Sequence, residues 1–158
     1  MTDKRWIEIS PTPITAADAV AFVTDPAAGG IDVFLGTTRA EICADGVPLL
    51  ALDYQAYDAM AIAQLNKIAD EIETRWPVVK LAVLHRTGRV AIGEPSVVIA
   101  VSTPHRADSF QACRAMIDRL KEVATIWKQE LWEGGDASWV HPGANHEMTN
   151  DQDPKPNQ

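Results

Sequence analysis

Positive charge is scarce in this chain: 14 Lys and Arg stand against 22 Asp and Glu, giving a formal net charge of -8 and a sequence pI near 4.9. Nucleic-acid binders normally carry a basic patch on a basic domain, so that class is excluded and any cluster of cations here is local. Cysteine is scarcer. Cys43 and Cys113 are the only two, far apart and in no C-x-x-C, which suggests neither a disulfide framework nor a zinc site. No apolar run approaches the roughly 18 residues of a membrane span. The start, "MTDKRWIEIS", has a basic pair but no apolar stretch of signal-peptide length behind it, so the expected setting is the cytoplasm, away from membranes. Also missing are G-x-G-x-x-G, G-x-x-x-x-G-K-S/T and G-x-S-x-G, which leaves dinucleotide, P-loop and serine-hydrolase chemistry without support. His141 and His146 have no metal-ligand spacing, and neither a metal nor a bound cofactor is expected.

What is present fits one domain with a real core over residues 1–141, followed by a polar, Pro- and Asn-rich stretch, 142–158, that reads as a disordered tail. "RWIEIS" reads as a strand, and a helix runs from about Thr15 to Thr24 until Pro26 and Gly29-Gly30 stop it. "IDVFLGTTR" and "LLALDYQAY" read as extended, with the Asp-Gly of a turn or mobile loop between them. Ala61, Leu65, Ile68, Ile72 and Trp76 recur at helical spacing, and Pro77 ends that helix. Residues 79–104 follow as strand, Gly-containing turn and strand, with "SVVIAVS" apolar enough to be buried on both faces. A second long helix covers about Ala107 to Thr125, its core stripe being Phe110, Cys113, Met116, Leu120, Val123 and Trp127. "ELWEGGDASWV" reads as two short strands. Long helices separated by paired strands predict a mixed α+β domain rather than a doubly wound parallel sheet.

Three segments end an element with cations. In "FLGTTR", Gly36 permits close approach and Arg39 carries a planar fork suited to phosphate; the competing reading is a strand end with a solvated arginine. In "STPHRADSF", His105 and Arg106 precede a helix whose unpaired N–H groups favour an anion. Alternatively His105 bonds the strand end and Arg106 pairs with Asp108. In "RLKEVATIWKQE", Lys121 and Lys128 are seven residues apart. A continuous helix would set them on one face about 10 Å apart. A break among Thr125, Ile126 and Trp127 would let Lys128 fold back closer. The competing reading pairs Lys121 with Asp118 or Glu122. Convergence of the three segments favours a site for an anionic substrate. His85, closing an apolar strand, reads as structural.

Together "FLGTTR", the His-Arg pair before a helix and "LKEVATIWKQE" resemble, in order and spacing from about Asp32 to Val140, the large catalytic subunit of molybdopterin synthase. The resemblance implies an α+β hammerhead-type fold with an additional antiparallel β subdomain. It implies sulfur transfer to cyclic pyranopterin monophosphate, forming the molybdopterin dithiolene. The sulfur would come from the C-terminal Gly-Gly thiocarboxylate of a small ubiquitin-like partner. It further implies a central dimer of this chain inside a heterotetramer. Thr37, Thr38, Arg39, His105, Arg106, Lys121, Lys128, Gln129 and Glu130 would contact substrate, with His105 and Arg106 reaching in from the other protomer. Lys121 and Lys128 would be catalytic, Lys121 at the thiocarboxylate carbonyl. The partner's tail would need an extended groove or sheet edge near Trp127 to Trp139. Two other readings stand beside this one: a module that only docks a ubiquitin-like partner, and an unrelated phosphate-ester enzyme with a similar cationic cluster.

Overall fold

The structure, a computed structural model, describes residues 3–135 and 137–140, with the backbone alone for 138–140. The expected tail, 142–158, lies outside the described residues, as do His141 and His146. In chain order the elements are β1 (Arg5–Ser10), α1 (Ala16–Val23), β2 (Gly30–Thr37), β3 (Leu49–Ala56), α2 (Asp58–Arg75), β4 (Lys80–Arg86), β5 (Gly88–Ala91), β6 (Pro95–Thr103), α3 (Arg106–Val123), β7 (Ile126–Trp132) and β8 (Ala137–Val140).

Two sheets organise them, one in the order β1-β4-β6-β2 and the other β5-β3-β7-β8. In the first sheet β1 runs parallel to β4 while β6 is antiparallel to both β4 and β2. The second is antiparallel throughout. The fold is therefore mixed α+β, as the order of elements predicts.

Alternation along the central strands explains how the first sheet is covered. Ala82, Leu84, Val98 and Ala100 face one side and pack with Ala19 and Val23 of α1. Leu81, Val83, Val97, Ile99 and Val101 face the other, against α2, α3 and the inner face of the second sheet. With both faces covered, "SVVIAVS" can be apolar throughout. Helix α1 begins where the Thr15 hydroxyl accepts the Asp18 N–H at 3.2 Å. Helix α2 buries Ala61, Leu65, Ile68 and Ile72 as its spacing predicts, with Ala69 beside them, while Trp76 is its extended cap and only partly buried.

Three expectations need correction. The buried arc of α3 is Ser109, Ala112, Cys113, Met116 and Leu120; Phe110 is 58% exposed, because a three-and-four spacing through Cys113, Met116 and Leu120 extends back to Ser109 instead. Trp127 lies beyond the end of that helix, on β7. The segment read as strand, turn and strand holds three strands, since Gly88 and Gly93, both at φ 83°, turn the chain tightly on either side of the short β5.

Candidate functional site

Helix α3 stops at Val123, and Ala124 is already extended. The next residues, Thr125, Ile126 and Trp127, are β-branched or aromatic and suit the strand they begin. The Gln64 side-chain oxygen on α2 clamps this corner, accepting the Thr125 N–H at 2.8 Å and its hydroxyl at 3.0 Å. Lys121 therefore lies in the last turn of a helix and Lys128 on the strand that follows. The pair meets across a corner, as the broken-helix reading anticipates, rather than along one helical face. Gln64 gives no sign of this role in the sequence, because nothing in an amphipathic pattern marks a residue that reaches another helix's end.

Between this corner and the end of β2 lies a pocket of about 340 Å³, in the size range of small-molecule sites. Its charged lining is Arg39, Lys121 and Lys128 together with Glu41 and Glu130. Thr37 also lines it, and Phe34, Leu52, Tyr54 and Val97 supply apolar wall. Strand register explains the composition: on β3 and β7, Leu52 is opposite Glu130 and Tyr54 opposite Lys128, so these side chains share one face. Gln129 is opposite Asp53, on the other face, and does not line the pocket. Thr38 is buried at 3%, its backbone tied to Glu94 O at 3.1 Å and Gly93 N at 2.8 Å, and it does not line the pocket either.

Gly36 has a packing reason. A Cβ there would come within 2.6 Å of Val97 Cγ1, so the close approach is from a neighbouring side chain. A register shift between Gly36 and Thr37 then breaks the ladder, where bulges commonly re-aim a strand. Arg39 follows, its Nη2 3.2 Å from Glu41 Oε1.

The cations differ in environment. Burial lowers the pKa of Lys128 to about 8, aided by the Lys121 charge, while Glu130 and Glu41 push upward and Arg39 downward. Lys121 is also lowered, by desolvation. Lys121 is exposed at the pocket mouth, where the surrounding protein withdraws water from its ammonium without enclosing it. Both acids in reach along the helix are otherwise engaged, because Asp118 pairs with Arg114 at 3.7 Å and Glu122 with Arg119 at 2.7 Å. Beneath the pocket His85 is 4% exposed, edge-on to Tyr54 with centroids 5.1 Å apart. Burial lowers its pKa to about 4, so it is neutral, with Nδ1 2.9 Å from the Arg86 carbonyl.

His105 and Arg106 are elsewhere. Both are exposed at the start of α3, and the 15 helical steps from Arg106 to Lys121 separate the two ends by about 22 Å. Among the described residues neither side chain pairs with Asp108; Thr103 Oγ1 donates instead to the His105 backbone carbonyl at 2.6 Å. Among the described residues no group of three His, Cys, Asp or Glu is gathered to hold a metal ion, and no helix is long and apolar enough to cross a membrane.

Comparison with known proteins follows the same outline. The family model described as "MoaE protein" matches residues 9–123. The molybdopterin synthase catalytic subunit of Halalkalibacterium halodurans is 46% identical over 140 residues, covering 89% of this chain and 87% of the relative. A crystal structure of molybdopterin synthase from Staphylococcus aureus superposes with a TM-score of 0.79 at 38% identity, over 85% of this chain and 96% of the other. The fold is also seen, at 22% identity and a TM-score of 0.64 over 80% of this chain and 85% of the other, in a Helicobacter pylori complex of subunits 1 and 2 of molybdopterin-converting factor.

Proposed function

The chain belongs to the MoaE family, whose curated relatives are molybdopterin synthase catalytic subunits, enzymes of molybdenum cofactor biosynthesis, and from that premise we propose how its pocket works. A small ubiquitin-like subunit delivers sulfur as a C-terminal Gly-Gly thiocarboxylate, and cyclic pyranopterin monophosphate receives it. Both reactants are anions, and cations offset their repulsion in a site partly shielded from water. The observation that carries this reading is the meeting of Arg39, Lys121 and Lys128 in one pocket, with the proton affinity of both lysines lowered.

Lys128 and Arg39 hold the phosphate and the polarised pterin oxygens. Lys121 sits by the thiocarboxylate carbonyl. Sulfur adds to an electrophilic side-chain carbon of the pterin, whose displaced oxygen leaves with a proton, and the acyl–sulfur bond then remains to be cut. A Lys121 amine takes a proton from water, whose oxygen adds to the acyl carbon; sulfur leaves on the pterin, and the partner departs with a carboxylate. A lysine with lowered pKa is suited to this, since a larger fraction is neutral near physiological pH.

His105 and Arg106 lie too far away within one chain to join the same pocket, so they serve the pocket of a second copy in a central dimer. One small subunit at each end completes a heterotetramer. Thr37 borders the substrate. Thr38, whose backbone N–H and carbonyl are both engaged with the 93–94 turn, positions Thr37 and Arg39 on either side of it, and Gln129 from the outer face of β7 stands toward the partner's tail. Residues 1–141 form the working unit, acting in the cytoplasm. The test is reconstitution: the chain is mixed with thiocarboxylated partner and cyclic pyranopterin monophosphate, and dithiolene product is measured. Product is expected from wild type, and its absence from a correctly folded complex would defeat the reading.

A further inference from the structure

The pocket is less positive than its cations suggest, because two carboxylates, Glu41 and Glu130, line it with them. Glu41 stands two residues after Arg39 and reaches it through a single contact, Nη2 to Oε1, at 3.2 Å. A lone contact uses a fraction of what a guanidinium offers, since its fork can give two parallel bonds to a carboxylate or phosphate. We propose that Glu41 is a resident counter-anion, holding Arg39 until an anionic oxygen group of a ligand takes its place. The inference rests on the reading above for the identity of that ligand, whose phosphate and whose partner's C-terminal carboxyl group share this chemistry.

The surroundings let the exchange occur without refolding. The Glu41 backbone is pinned, its carbonyl accepting the Leu49 N–H at 2.8 Å. The rest of the hairpin is closed by Cys43 N to Val47 O at 2.9 Å and by a bridge between Ile42 and Pro48, with Gly46 at φ 78° at its tip. Only the side chain has to rotate. The Arg39 side chain is 67% exposed, so the released pair meets water readily. Glu41 also acts on Lys128, favouring its charged form. Leaving the pocket would therefore strip a counter-charge from the lysine as the ligand arrives, and the ligand's own anion replaces it.

Calorimetry on the full chain tests this with two probes, inorganic phosphate and glycylglycine. Glu41→Gln should bind at least one probe roughly three- to fivefold more tightly than wild type, the scale of one exposed ion pair. Tightening confined to phosphate assigns the exchange to the pterin, and tightening confined to glycylglycine assigns it to the partner's tail. Glu8→Gln, at an exposed position of the half-buried β1 on the opposite edge of the first sheet, removes the same charge and should leave both affinities unchanged. When Arg39→Gln is already present, adding Glu41→Gln should bring no further tightening. Equal or weaker binding by Glu41→Gln, binding undetectable in both proteins, or an equal gain from Glu8→Gln overturns the inference. Sulfur transfer by wild type is a separate readout: its absence beside tighter binding by Glu41→Gln would sink the functional reading and keep this one.

Discussion

The two ends of α3 carry the same kinds of side chain in different surroundings: His105, Arg106 and Lys121 are all exposed, but only Lys121 borders the pocket. At the start His105 and Arg106 are exposed. At the far end Lys121, with Lys128 across the corner, is lowered in proton affinity by the protein around it. A lysine fully in water attracts anions but keeps its proton near neutral pH; one partly removed from water also becomes able to exchange that proton. One end of the helix is thus suited to guiding and gripping, the other to chemistry, and about 22 Å of helix keeps them apart in a single chain.

The sharpest way to break that comparison is to remove the chemical end. Lys121→Ala should slow sulfur transfer by roughly 10²- to 10³-fold in single turnover with thiocarboxylated partner, the range of a lost acid/base group. It should leave unfolding by urea nearly unchanged, because the residue pairs with neither neighbouring acid. A wild-type rate would mean that the lowered proton affinity serves no catalytic purpose.

The exposed end is tested next by complementation. Arg106→Ala should slow transfer by roughly 10- to 100-fold, on the scale of a charge-assisted contact of about 1.5–3 kcal/mol. Lys121→Ala and Arg106→Ala proteins, mixed and allowed to exchange subunits, should recover about a quarter of wild-type activity. That fraction follows because half of the dimers are mixed and each then has one intact site, given an isologous pair. No recovery, with exchange demonstrated, would show that the two ends do not complete one another's sites.

Sequence reasoning reached these ends unequally. The long helices, the buried β6 and the α+β class were legible because periodicity and caps are local signals. The pocket was half legible: Thr37, Arg39, Lys121, Lys128 and Glu130 fall in it, while Glu41, Tyr54 and Phe34, which also line it, were not singled out. Tyr54 is placed by the β3–β7 register and Phe34 by the edge position of β2, and neither can be read along one strand. Gln129, assigned to substrate by the resemblance alone, lies on the face of β7 away from the pocket, because adjacent residues on a strand face opposite ways and Lys128 takes the pocket side. Phe110 shows the same limit, an aromatic residue one step off the buried arc.

A packing change can disturb the exposed end alone. A Cβ on Gly29 would come within 2.3 Å of the Pro104 carbonyl oxygen, a backbone atom just before His105 that cannot step aside. Gly29→Ala should cost about 1–3 kcal/mol in urea unfolding, as overpacking does. The Lys128 titration, followed by NMR of labelled lysine, should not move. A shift there would mean that strain travels the length of α3 and that its two ends are not independent.

The smallest effect isolates burial itself. Lys128 falls from an ordinary 10.5 to about 8 in the folded chain. Between those values the unfolded chain holds a proton that the folded one has released, so stability rises with pH across the window; below about 8 both states are charged and the cost of sheltering the ammonium is at its full size. Lys128→Met keeps the bulk and removes the charge. Because the side chain is only partly sheltered and water screens its charge, the variant should be about 1 kcal/mol more stable near neutral pH. That advantage should shrink as pH rises from about 8 toward 10.5, where wild type sheds its proton too. A Lys128→Met gain that stayed constant with pH would come from packing rather than from desolvated charge, and the contrast between the two ends of α3 would lose its electrostatic basis.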